Sequence, residues 1–123
     1  MVGLSPSWSV DLYIDDEGLP ALRAVMANVA AGYPVKYYDV GEKFKEIRPI
    51  DIHICSEDGL FISATKLSRT SPIKAVMIDL FAYEPGYEWE SIAEALKSAL
   101  LARWPENLDE SPSRTSELRS SLF

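Results

Sequence analysis

WSVDLYID sets Trp8, Val10, Leu12 and Ile14 against Ser9, Asp11, Tyr13 and Asp15, the period-two spacing of a strand buried on one face. The acidic turn Asp15-Asp16-Glu17-Gly18 follows, and then Leu19, Leu22, Val25, Met26 and Val29 recur at helical spacing. Pro20 is tolerated in a first turn, and Gly32 with Tyr33-Pro34 supplies the stop. A helix is predicted over about residues 18 to 31. VKYYDVGEKF, from Val35 to Phe44, predicts a second strand with a bend or bulge near Gly41.

In IDIHIC, Ile50, Ile52 and Ile54 alternate with Asp51, His53 and Cys55; the turn SEDG follows and LFISAT resumes the strand. Residues 49 to 65 are therefore predicted as a hairpin. KLSRTSP is a polar loop, and IKAVMIDLFAY is the nearly continuous apolar run of a central strand buried on both faces. Beyond Pro85-Gly86, Trp89, Ile92, Ala93, Leu96 and Leu100 mark a second amphipathic helix ending near Trp104-Pro105.

The order β-α-β-β-β-β-α, with short turns between successive strands, predicts a mostly antiparallel sheet of about five strands. Two helices with one apolar face each can cover one side of it, which makes an α+β two-layer sandwich. Residues 1 to 104 form the expected domain, and residues 105 to 123, rich in Ser, Pro and charge, a polar tail.

Composition narrows the function. At 123 residues, 47% hydrophobic and 25% charged, the chain is expected to fold around one core. MVGLSPSWSVD lacks the basic start of a signal peptide, and the longest uncharged run, Ala24 to Val35, is too short for a bilayer. A cytoplasmic protein without membrane contact is the expectation. One cysteine, Cys55, and one histidine, His53, leave no intramolecular disulfide and no Cys/His zinc cluster. A net charge of −7 opposes direct binding to nucleic acid, although a protein that binds nucleic acid remains a candidate partner.

The charge is unevenly laid out. Residues 1 to 35 hold four acids and one base, 36 to 74 six and seven, 75 to 104 five and two, and 105 to 123 four and two, so the segments carry −3, +1, −3 and −2. Between Lys74 and Lys97 no base occurs, while Asp79, Glu84, Glu88, Glu90 and Glu94 do. Glu90 and Glu94 are helical neighbours whose repulsion costs a few tenths of a kcal/mol. One account of these acids is the dipole at a helix N-terminus. The other is an acidic binding surface: carboxylates beside Tyr83, Tyr87 and Trp89, with rigid rings for contact area and negative charge to steer a basic partner. Trp89 fits equally as the first core anchor of its helix.

No residue set names a reaction. His53 and Cys55 fall on one side of their strand, about 6 to 7 Å apart at Cα, too far to pair without special geometry. They are expected to be a partly exposed histidine beside a small buried thiol. The Asp15-Asp16-Glu17-Gly18 turn lacks the spacing of a calcium loop and is expected to cap the first helix. Tyr33, Tyr37 and Tyr38 are expected to pack. No catalytic residue, cofactor or metal ligand is assigned. The closing RSSLF looks like the short peptides that dock into the bacterial sliding clamp, with Arg119 or Ser120 where such motifs open on glutamine.

In size, charge and lack of chemistry, the chain resembles immunity proteins that neutralise nuclease toxins and phage proteins that block host nucleic-acid enzymes. The leading expectation is a small acidic inhibitor of a basic protein. Its contact residues would be Tyr83, Glu84, Tyr87, Glu88, Trp89, Glu90 and Glu94, with Asp15, Asp16 and Glu17. The alternative is a small-molecule-binding or enzymatic domain with a pocket between sheet and helices, to which His53 or the tyrosines contribute. A structural subunit held by its tail is a third.

Overall fold

The computed structural model describes residues 6–40, 46–57, 59–68, 74–83 and 89–110. The strands are β1 (Trp8–Leu12), β2 (Lys36–Asp39), β3 (Ile50–Cys55), β4 (Leu60–Lys66), β5 (Val76–Ala82) and β6 (Leu108–Asp109); the helices are α1 (Leu19–Ala31) and α2 (Trp89–Arg103). All six strands join one antiparallel sheet in the order β2-β3-β4-β5-β1-β6. The α+β class, both helices and the element order agree with the sequence pattern.

The sheet has six strands rather than five, and the added one comes from residues assigned above to the polar tail. Leu108 and Asp109 pair with Leu12 and Asp11. Tyr13 N–H donates to the Asn107 carbonyl at 2.9 Å, and the Asn107 side-chain amide returns a bond to the Tyr13 carbonyl at 2.9 Å. Without this segment β1 would be an edge with unpaired backbone groups. Two residues are too few to leave a period in the sequence. The expected second strand is also shorter, four residues, and Gly41 lies outside the described residues, as do residues 111–123.

Cross-strand register assigns the two faces. Val10, Leu12, Ile50, Ile52, Ile54, Leu60, Ile62, Ala64, Val76, Ile78 and Leu80 share one face. They form a single buried cluster with Leu19, Leu22, Met26 and Ala30 of α1 and Ile92, Ala93, Leu96 and Leu100 of α2. Both helices therefore cover that face.

Local chemistry fixes the joints. In the β3–β4 turn, Gly59 has φ 105°, a region open to glycine and strained for other residues, and Leu60 N–H donates to the Ser56 hydroxyl at 2.9 Å. At the start of α1 a 3-10 turn spans Asp16–Gly18, with the Asp15 carboxylate accepting from Gly18 N–H. Gly32 ends α1 as expected, though at φ −86° rather than in a left-handed turn. Gly32 and Tyr33 N–H close instead on Val29 and Ala30 carbonyls, a tightened last turn before Pro34.

The helices run antiparallel to each other, starting from opposite ends of the sheet. α1 begins beyond Leu12, which faces Val76 at the start of β5, and α2 begins beyond Ala82 at its end. The Tyr33 hydroxyl accordingly reaches the Ser91 carbonyl and hydroxyl, both at 3.1 Å, tying the end of α1 to the start of α2.

Candidate protein-binding surface

The helix-free face carries the alternate residues of β1 to β5: Ser9, Asp11, Lys36, Tyr38, Asp51, His53, Cys55, Phe61, Ser63, Thr65, Met77, Asp79 and Phe81. It divides into two regions. Toward β1, Ser9 and Asp11 are only 1% exposed; the Ser9 hydroxyl donates to Asp79 Oδ1 at 2.7 Å, and Asp79 and Met77 are buried too. Toward β3, the face presents rings to solvent.

These rings form a row. His53 and Phe61 have centroids 5.3 Å apart, Phe61 and Phe81 6.3 Å, and Phe81 and Tyr83 6.2 Å with their planes 10° apart. Such separations are those of interacting aromatic pairs. Phe61 and Phe81 are direct cross-strand partners, and Tyr83 follows Phe81 by two residues, so strand alternation brings it to the same side. Both ends of the row are open: Tyr83 is 53% exposed and the His53 side chain 36%, while Tyr38, opposite His53, is 46% exposed.

The His53 Nε2 atom lies 3.0 Å from Asp51 Oδ1, and Arg48 Nη1 lies 3.7 Å from Asp51 Oδ2. The partly exposed histidine matches its expected setting; Cys55 is half-buried rather than buried. His53 stands on the face turned away from the helices, so it makes no contact in the interlayer space. That space is filled by the aliphatic cluster. Of the three early tyrosines, Tyr33 and Tyr37 pack against the core and Tyr38 does not. Burial raises the Tyr37 hydroxyl pKa above its ordinary value, and nearby Asp39 adds to the rise while Arg23 opposes it.

The two acidic clusters expected to serve together occupy opposite ends of the sheet. Tyr83, Glu90 and Glu94 lie at the end where β5 finishes and α2 begins, and Asp15, Asp16 and Glu17 at the end where β5 starts. Seven residues of β5 separate them, roughly 20 Å. Glu84, Tyr87 and Glu88 lie outside the described residues. Trp89 is half-buried against the core, and Glu90 and Glu94 are exposed.

Asp15 and Asp16 have structural partners. Asp15 caps the 3-10 turn, and Asp16 Oδ1 sits 3.3 Å from Lys66 Nζ, which also donates to the Ile14 carbonyl at 2.6 Å. At the other end the fold adds a carboxylate that sequence reasoning had left in a plain turn. Tyr83 N–H donates to the Gly59 carbonyl at 2.7 Å, which ties the β3–β4 turn, where Glu57 is exposed, to the end of β5. Phe61 and Phe81 were also missed. The available signal was their position on the polar phase of their strands, out of step with Leu60, Ile62 and Leu80.

Among the described residues no group of three or more His, Cys, Asp or Glu side chains could hold a metal ion, and no helix is long and apolar enough to cross a membrane. No protein-family model, curated protein or solved structure matches the chain.

Proposed function

We propose that this chain is a small acidic protein-binding inhibitor that acts in the cytoplasm by occluding the active cleft of a basic protein, in the manner of an immunity protein acting on a nuclease toxin. The observation that carries the proposal is the solvent-facing ring row ending at Tyr83, where the acidic segment of the chain begins. Aromatic side chains with large area and few rotatable bonds are the residues that protein interfaces favour. The chain's net charge of −7 accelerates encounter with a cationic partner and rejects anionic ones. Fast, salt-sensitive association with one basic protein follows from that combination.

The test is an affinity pull-down of the tagged chain from its native cell extract, washed at low and at high salt, followed by assay of the retained protein's activity with the purified chain added back. One basic partner, released at high salt and inhibited at an equimolar ratio, is the expected result. A partner whose activity is unchanged when saturated with the chain would refute the inhibitor role.

A further inference from the structure

The half of the helix-free face that lies toward β1 is buried, yet neither helix covers it. Ser9 and Asp11 are 1% exposed, Met77 5% and Asp79 6%. Ser9 faces Asp79 in the middle of β5, whereas the described connections meet the sheet at its strand ends. On the neighbouring strand β4, Ser63 and Thr65 are more open. These exposures are those of one chain by itself, so neither a second copy nor another protein supplies the cover. A stretch of this chain outside the described residues does.

The side chains underneath dictate what that stretch carries. Asp11 stands between Asp109 and Met77 across the sheet, and Asp79 lies two residues beyond Met77 along β5. None of the three carboxylates is without a partner. Burying a carboxylate is costly unless a cation and hydrogen-bond donors meet it. The cover therefore brings bases to the acids and an apolar group to Met77.

Residues 111–123 fit that description. They hold Arg114 and Arg119 against a single acid, Glu117, with Leu118 between the two bases. They continue from Glu110, beside the paired Asp109 and Asp11. From β6 across β1 to β5 is two strand spacings, roughly 10 Å, and the five steps from Asp109 to Arg114 reach up to about 17 Å. Residues 1–5 and 84–88 contain no basic side chain, and residues 69–73 contain one, Arg69. Residues 41–45 follow β2, at the opposite edge of the sheet.

We propose that residues 111–119 cross from β6 over β1 to β5 as a strap on the helix-free face, with Arg114 and Arg119 paired to Asp109, Asp11 and Asp79 and with Leu118 over Met77. Arginine suits the task because its planar fork donates to two carboxylates at once. The strap closes the half of the face beside the rings and holds whether or not the chain is an inhibitor.

Trypsin cleaves after Arg114 and Arg119, so its rate there reads the strap directly. In the full-length chain both cleavages should be roughly tenfold or more slower than in a synthetic peptide of residues 109–123, the protection expected of a segment held by charge-assisted hydrogen bonds. A nitroxide on Ser116→Cys, in a Cys55→Ser background, should broaden the amide NMR signals of residues 9–11 and 77–79 more than those of α1 and β2. Arg114→Gln/Arg119→Gln, both outside the core, should abolish that difference. Cleavage at the peptide's rate, or equal broadening on the two faces of the sheet, would overturn the proposal and pass the cover to residues 69–73.

Discussion

The two faces of one sheet are built from the same strands and differ in almost every physical respect. The helix-covered face is nearly all Val, Leu and Ile, closed to water by two amphipathic helices, and its value is stability. The helix-free face mixes carboxylates, hydroxyls and rings, and its outer region stays in contact with solvent. Residues one position apart along β4, such as Ile62 and Phe61, thus answer to different demands. Stability does not call for a run of partly exposed rings, so the row is the feature that distinguishes this molecule from a generic two-layer domain.

Truncation on the covered face should have the largest effect on folding. Ile78→Ala, at a fully buried central position, is expected to cost about 2 to 5 kcal/mol in denaturant unfolding. Phe81→Ala should cost clearly less, because its side chain is only half-buried. Equal costs at the two positions would mean that the helix-free face is as much core as the other.

Next comes the charged tie between the sheet and the start of α1. Lys66→Met removes a charge-assisted bond to the Ile14 carbonyl and the contact with Asp16, for about 1.5 to 3 kcal/mol of unfolding free energy. A loss of that size would mark Asp16 as a partner of the fold itself, in contrast to the exposed Glu90 and Glu94 at the other end. The buried part of the helix-free face comes third. Ser9→Ala leaves Asp79 without its 2.7 Å donor, and unfolding measurements should show a loss of about 1 kcal/mol.

The smallest effect concerns the edge strand β6. The hydrogen bond from Lys97 holds the Glu110 carboxyl below the usual carboxylate range, with a lesser contribution from Trp8 and partial opposition from burial. A carboxylate with a lowered folded pKa adds stability that is complete above its unfolded value and is lost as pH falls through the folded one. The same pairing raises Lys97, so its share persists below the ordinary lysine range and disappears only as pH rises through the raised value. Amide protection of Leu108 and Asp109 should therefore fall on acidification below the carboxylate range. Glu110→Gln should show the weaker protection already at neutral pH.

Much of the fold was legible along the chain because burial on one side imposes a period. The phase of Ile50, Ile52 and Ile54 put His53 on the outer side, and the spacing of Leu22, Met26, Ile92 and Leu96 named the helix faces that pack. The acids of the candidate site were visible as composition, but their grouping was not. Asp15 to Glu17 and Glu90 with Glu94 look alike in sequence, and only the antiparallel course of β1 and β5 sends them to opposite ends. Phe61 and Phe81 read as ordinary strand residues until cross-strand pairing set them side by side.

By itself, then, the sequence determined the class, the order of elements and the covered face, since hydrophobic periodicity is a local consequence of helix and strand geometry. The tertiary structure decided the sixth strand, the separation of the two acidic ends and the continuity of the ring row. Those depend on register between segments twenty to a hundred residues apart, as in Phe61 against Phe81 and Leu12 against Leu108, and no local period carries that information.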